Sequence, residues 1–319
     1  MITRRTLLLS ALARAPIGIG FIGTSHSHGR AKVETVRANA DYKLIGTTDE
    51  MSREALLRHA GIQVIAVESQ NKDHGRDGIA VLEAGKHLHL EKIPADNKKD
   101  FARIVELARR KQRLVQVGYM WRYHPGINLA LEAARSGWLG DVYLIRAVIG
   151  NQLDAARRPE WAAFKGGVMF ELGCHVIDPI VRLLGRPTKV TPVLHKHGKF
   201  SDSLNDNTAA VLEFGNAMAI VTASNLQANA GRYRAFEVHG TNGAVIVNPI
   251  EPPGVVVDLA KAAGPYNAGK QTMPMPPYKR YVDDFIELAA ALRGEAKLRV
   301  TLEEDLLVQD VVLAASGMA

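Results

Sequence analysis

The chain has a single cysteine, Cys174, among 319 residues, so it can close no internal disulfide and its fold rests on noncovalent packing. Long apolar runs are missing as well. The stretch from Leu7 to Ala13 is far shorter than the roughly 20 residues a bilayer-crossing helix needs, so no stable membrane anchor is expected. There is no basic stripe interleaved with aromatics. Lys and Arg are scattered among carboxylates, and three units of the formal charge of +7 come from Arg4, Arg5 and Arg14, so nucleic acid is not an expected partner. The histidine pairs His87/His89 and His195/His197 lack a third convergent ligand, so no metal is expected. Internal repeats and low-complexity tracts are also missing, which sets solenoid and fibrous architectures aside.

What is present suits a two-domain globular protein: 319 residues, 47% of them hydrophobic and 23% charged. Short β-branched runs alternate with amphipathic stretches up to Gly118, the pattern of a parallel sheet covered by helices. Strands are predicted at 17–23, 42–48, 63–68, 87–91 and 114–118, with helices near 30–38, 52–59, 76–84 and 101–111. After Gly118 come a helix near 126–136, a strand at 142–149 and a helix starting near Glu171. Alternating runs follow at 207–214, 217–226, 233–240 and 244–248, with Thr241-Asn242-Gly243 as a hairpin turn. The Pro- and Gly-rich stretch 251–277 is expected as a surface loop, and two helices, 278–292 and 302–315, close the chain. The predicted fold is α/β, an N-terminal Rossmann doubly wound parallel sheet over residues 16–118. A C-terminal α/β domain with an open, largely antiparallel sheet is expected over residues 119–319.

The string Gly18-Ile19-Gly20-Phe21-Ile22-Gly23 fits G-x-G-x-x-G, but that pattern must follow a strand and open a helix, and here it lies inside the strand. The functional loop is therefore Gly23-Thr24-Ser25-His26-Ser27-His28, with Ser25 and His28 at the second and third glycine positions. Backbone amides at the start of a helix can still hold a pyrophosphate there, helped by the hydroxyls of Ser25 and Ser27. Asp49 ends the second strand, where a carboxylate accepts from ribose hydroxyls and repels a 2′-phosphate, which favours NAD over NADP; Arg53 nearby keeps NADP open.

Two further segments carry chemistry. The run Glu91-Lys92-Ile93-Pro94 closes the fourth strand at the carboxyl edge, where doubly wound sheets bind ligands, and would set Lys92 beside a nicotinamide. Glu171, His175 and Asp178 recur at helical spacing on one face of the helix that follows Gly166-Gly167. With Val117-Gly118-Tyr119-Met120-Trp121-Arg122-Tyr123-His124-Pro125 between them, these segments resemble the glucose-fructose oxidoreductase, inositol dehydrogenase and MocA-type family, from Ile17 almost to the C-terminus.

The resemblance implies an NAD(P)-dependent oxidoreductase that moves hydride between a nicotinamide and a CH–OH group of a sugar, cyclitol or related polyol. It makes Lys92 and His175 the handlers of the hydroxyl proton, with Glu171 holding the imidazole in its reactive tautomer and Asp178 beside them. Cofactor contacts would come from the Gly23–His28 loop, Asp49, Glu68, His74, Glu91, Lys92 and Arg122. A homo-oligomer, dimer or tetramer, is also implied. The chain departs from the family pattern in four places: Pro94 lies one residue beyond the usual Glu-Lys-Pro, Glu171 replaces a frequent aspartate, Glu68-Ser69 replaces a common Thr-Pro, and the segment from Asp49 to Gln63 lacks room for an extra strand and helix. Two alternatives remain open, an NAD-retaining glycoside hydrolase of the same fold and a non-catalytic sugar-binding homologue.

Residues 1–15 carry Arg4-Arg5, the apolar Leu7-Leu8-Leu9 and the small-residue end Ala13-Arg14-Ala15, the layout of a twin-arginine export signal, with a cytoplasmic enzyme bearing a basic extension as the alternative. Replacing both Arg4 and Arg5 by Lys is expected to retain the protein inside the cell. Fractionation checks this, and unmodified protein found wholly in the cytoplasm with Met1 to Ala15 intact contradicts it.

Overall fold

The computed structural model describes residues 14–163 and 165–319. The paired-arginine segment expected to direct export therefore lies outside the described residues. The first sheet is five-stranded and parallel, built from β1 (Ile17–Ile22), β2 (Tyr42–Thr47), β3 (Val64–Val67), β4 (His87–Glu91) and β5 (Val115–Gly118), in the order β2-β1-β3-β4-β5. Its crossover helices are α1 (Ser27–Arg37), α2 (Arg53–Arg58), α3 (Asn71–Glu83) and α4 (Lys98–Lys111). β1 and β3 are fully buried, as expected for parallel strands covered on both faces. The six-residue α2 leads straight to β3, which accounts for the contracted segment seen in the sequence. Strand order reverses on either side of β1, so the loops after β1 and β3 splay apart and leave a crevice at their carboxyl ends.

The second sheet has eight strands: β6 (Val142–Gly150), β7 (Lys189–His195), β8 (Asn207–Glu213), β9 (Met218–Ser224), β10 (Ala235–Gly240), β11 (Gly243–Val247), β12 (Val255–Leu259) and β13 (Gly269–Met273), in the order β13-β12-β11-β10-β6-β9-β8-β7. All neighbours are antiparallel except β6 and β9. Gly240 pairs with Gly243, so Thr241 and Asn242 make the predicted tight hairpin. One face is covered by α5 (Pro125–Arg135), a π-turn (Met169–Gly173), α7 (Cys174–Leu184) and α9 (Leu302–Ala315), while the short α6 (Arg158–Ala162) lies at the cleft edge. Alternation places Ile145, Ala147 and Ile149 of β6 inward and leaves Arg146 exposed on the other face.

Two predictions need correction. The stretch 251–277 is not a loop throughout, because Val255-Val256-Val257 forms β12 and pairs with β13. Pro252 and Pro253 precede β12 and Gly264 and Pro265 fall in the connection between β12 and β13, so none of them interrupts a strand. Strand β7, an edge strand containing Pro192, was not predicted; an edge position tolerates a residue with no amide N–H.

The helix α8 (Val282–Leu292), which the sequence groups with the second domain, packs against the first sheet. Phe285 is fully buried, with ring centroids 6.5 Å from Phe21, 5.7 Å from Tyr42 and 4.9 Å from His89, and its carbonyl accepts the Tyr42 hydroxyl at 2.8 Å. Truncating this ring empties a site no neighbour can readily fill, so Phe285→Ala should destabilise the protein by about 3–5 kcal/mol. Urea unfolding should show the midpoint falling, with hydrogen exchange in β1 and β2 accelerated first.

Candidate active site

A cleft of about 820 Å³ opens between the two sheets. Its first wall is the loop from β1 into α1. Gly23 adopts a φ of +85°, and a Cβ there would lie 2.5 Å from the Glu68 carbonyl oxygen and from Ser69 backbone atoms, so glycine is required. Helix α1 starts at Ser27 rather than near Arg30 because the His26 imidazole caps it, accepting from the Gly29 amide at 3.2 Å. Burial pushes the His26 imidazole down to about 4, which keeps it neutral and able to accept. Ser25, His26, Ser27 and His28 all line the cleft. Thr24 donates its hydroxyl to Asp49, the exposed carboxylate that follows β2.

Beneath this loop lies a largely buried charge cluster that reaches the cleft at His28 and Glu91. Lys32, fully buried in α1, donates to Glu68 at 2.8 Å and to Glu91, and His28 Nδ1 is 3.2 Å from Glu91 Oε1. Burial alone would discharge Lys32, but the two carboxylates hold its ammonium above the ordinary value. Burial pushes Glu68 up to about 8, whereas Glu91, against the same burial, is held well below the usual carboxylate range by Lys32 and His28. Glu68 is therefore part of the floor under the loop and not a surface for a ligand. His74 is likewise taken out of the predicted cofactor set, since it is buried and its two ring nitrogens face the Ile93 and Ser69 carbonyls at 2.7 and 2.9 Å.

Lys92 and His175 meet in the cleft from opposite walls. The Lys92 ammonium donates to Glu171 Oε1 at 2.6 Å and to the Glu171 carbonyl at 3.1 Å, while Asn71 holds the other carboxylate oxygen at 2.5 Å. Burial works against the charge, yet Glu171 keeps Lys92 above its ordinary value. His175 is buried, its ring 5.7 Å from Trp121 and 6.4 Å from Tyr119 in an edge-on contact, and Nδ1 has no hydrogen-bond partner among the described residues. Burial, reinforced by Lys92, holds the imidazole well below its usual range, so it is neutral at pH 7. The pair thus offers one proton donor and one proton acceptor.

Three predicted relationships differ. Glu171 grips Lys92 and not the His175 ring, because the π-turn Met169–Gly173 widens the helix just before His175 and shifts the phase assumed from α-helical spacing. Asp178 and Arg122 do not line the cleft. Arg122 is buried between Asp178 (2.7 Å) and Asp305 (2.5 Å), with Arg182 3.5 Å from the far side of Asp178. These residues brace the helix that carries His175. Conversely, the cleft includes Asn71, Asn151, Trp161, Arg234 and Arg280, none of them singled out from sequence. Lys32 was detectable: it sits on the stripe Gly29, Lys32, Val33, Val36 of α1, where an apolar residue belongs.

The first wall fits a nicotinamide dinucleotide. Gly23 lets the backbone turn closely, the Ser27 and His28 amides of the first turn of α1 have no preceding carbonyl to bond, Ser25 and Ser27 line the cleft beside them, and the exposed Asp49 carboxylate follows β2. Comparison with known proteins agrees. Residues 17–119 match the model of an oxidoreductase family with an NAD-binding Rossmann fold, and residues 127–246 match the GFO/IDH/MocA C-terminal domain. The inositol 2-dehydrogenase of Salmonella typhimurium is 26% identical over 267 residues, covering 79% of this chain and 76% of the relative. The levoglucosan dehydrogenase of Pseudarthrobacter phenanthrenivorans is 24% identical over 284 residues, covering 73% and 72%. A solved levoglucosan dehydrogenase, in complex with NADH and levoglucosan, shares the fold with a TM-score of 0.80 at 19% identity, covering 96% of this chain and 97% of that one.

Proposed function

Because the chain belongs to the GFO/IDH/MocA family of oxidoreductases, with an NAD-binding Rossmann domain, we propose that it is a dehydrogenase acting on a secondary hydroxyl of a sugar, cyclitol or related polyol. The observation that carries this reading is the convergence of a cationic Lys92 and a neutral, buried His175 on one cleft beside the β1–α1 loop. When bound, the nicotinamide supplies the hydride acceptor. The residues of the chain manage the hydroxyl: Lys92 Nζ donates to its oxygen and favours the developing negative charge, and the His175 ring takes its proton. Glu171 and Asn71 hold Lys92 in place. The relatives named for inositol and levoglucosan support a polyhydroxylated substrate.

NAD is the preferred cofactor. Asp49 would repel a 2′-phosphate, and Arg53, the cation that follows β2, is engaged by Asp77 at 3.0 Å. A second copy of the chain is the proposed partner through the open face of the second sheet, where Leu144, Met218, Ile220, Val211 and Val193 are not covered by helices.

Lys92→Met and His175→Ala should each lower turnover by about 10² to 10⁴ while leaving NAD affinity within a few-fold, since loop and ribose contacts lie elsewhere. Their combination should cost less than the product of the two. NADH absorbance over a panel of inositols, aldoses and sugar acids, with a cofactor titration on each variant, measures both quantities. Full activity in both single variants removes these residues from the chemistry. The pH profile is a finer check. With its imidazole held low, the parent should keep oxidising substrate at pH values below about 6.5, where an ordinary histidine is protonated. Glu171→Gln removes the partner that raises Lys92, so burial then carries the ammonium below its ordinary value of about 10.4 and activity should fall on the alkaline side, where the parent stays flat. Light scattering should return a mass above the 34.7 kDa of one chain, and a single-chain mass contradicts the proposed oligomer.

A further inference from the structure

The wall that carries His175 holds a positive charge with no partner of its own among the described residues. Arg234 precedes β10 and Arg280 precedes α8, and both guanidinium groups line the cleft. They share one carboxylate. Glu251 accepts from Arg280 Nε at 2.6 Å and from a second nitrogen of the same group, and lies 3.8 Å from Arg234. The remaining contacts of Arg234 go to the Gly150 carbonyl, at 3.1 and 3.0 Å, which neutralises nothing. Of the other charges lining the cleft, Lys92 is paired with Glu171 at 2.6 Å and Arg157 with Glu160 at 3.9 Å, while Arg30, Lys72 and Asp96 form no ion pair among the described residues. Two cations against one anion leave one positive charge over, on side chains only 19% and 32% exposed. The crowding is felt by the groups themselves. Burial and the neighbouring Arg280 lower Arg234, and Arg280 contributes to keeping His175 neutral.

We propose that Arg234 and Arg280 hold a carboxylate on the substrate, so that the polyol oxidised at His175 is a sugar acid. This rests on the dehydrogenase reading above and narrows it. A neutral sugar would leave the leftover charge desolvated and unpaired when the cleft fills, which is costly. A monoanion closes the balance, and a dianionic phosphate exceeds it by one. Guanidinium forks suit carboxylate geometry, as Glu251 on Arg280 already demonstrates. Asn151, on the same wall, has a buried side-chain oxygen with no hydrogen-bond partner and can accept from a hydroxyl beside the acid group.

The test is calorimetric titration of the full chain at pH 7, with and without NADH, using D-gluconate and D-glucitol, which differ at one end in a carboxylate for a CH₂OH. Gluconate should bind at least tenfold more tightly, and the margin should shrink with added salt. Arg234→Gln and Arg280→Gln should each remove about tenfold of the gluconate affinity and leave NADH affinity unchanged. The comparison of the two probes on unmodified protein needs no variant, so it stands even if Arg280→Gln unsettles the fold by stranding Glu251. Equal or tighter binding of glucitol overturns the proposal, as does no gluconate binding in either state. Tighter binding of glucose 6-phosphate through the same arginines overturns the carboxylate assignment in favour of a phosphate. Arginine-dependent gluconate binding by a protein that fails to bind NADH supports the acid site while removing the dehydrogenase reading.

Discussion

One buried guanidinium joins the parts of this molecule that have to stay in register. Arg122 lies in the junction that leaves β5, Asp178 on the helix that presents His175, and Asp305 on the closing helix α9. Burial raises Asp305, and Arg122 is held above its ordinary value by both carboxylates against the same burial, so each charge depends on the others for compensation. Removing one partner from such a set leaves an uncompensated ion in the interior, which typically costs about 3–5 kcal/mol. The reach of Lys92 toward Glu171 is short, and the distance between the walls is set by where α7 stands relative to the first sheet. The Arg122 cluster sets that position.

The fold was legible because parallel strands buried on both faces read as continuous β-branched runs, and because helix stops such as Gly85 and Gly185 fall where positive φ is required. Lys92 and His175 were singled out by a strand end, a helix face and the family resemblance together, and the fold brings both to one cleft. Glu171 shows where periodicity fails. A π-turn is a local change of pitch that carries no pattern of its own, so helical spacing and the resemblance pointed Glu171 at His175 while the fold turns it to Lys92. Arg122 and Asp178 were misassigned for another reason: a charge that pairs inside a core and a charge that faces a ligand look alike until their neighbours are known. Arg234, Arg280 and Glu251 come from segments far apart in the chain, and only the fold brings them together.

The substitutions beneath the dinucleotide loop make sense as a set. Glu68 and Glu91 both accept from Lys32, which would be an unpaired buried ammonium without them. Glu91 also touches His28 on the cleft surface, so the buried group is connected to the loop that faces the ligand. A conventional loop relies on small residues for its shape. Here part of that work falls to electrostatic contacts, and the His28 position is supported from below by Glu91.

The path of α8 has a consequence for how the protein is made. Phe285 lies against Phe21, Tyr42 and His89, so the first sheet is not sealed by the residues that precede Gly118. As the chain leaves the ribosome, β1 to β5 emerge well before the helix that covers them. The apolar face of the N-terminal half must wait through the whole synthesis of the second sheet. The first sheet therefore gains the cover of α8 only after the strands of the second sheet have been synthesised, so the N-terminal half is completed by a segment made later than its neighbour domain.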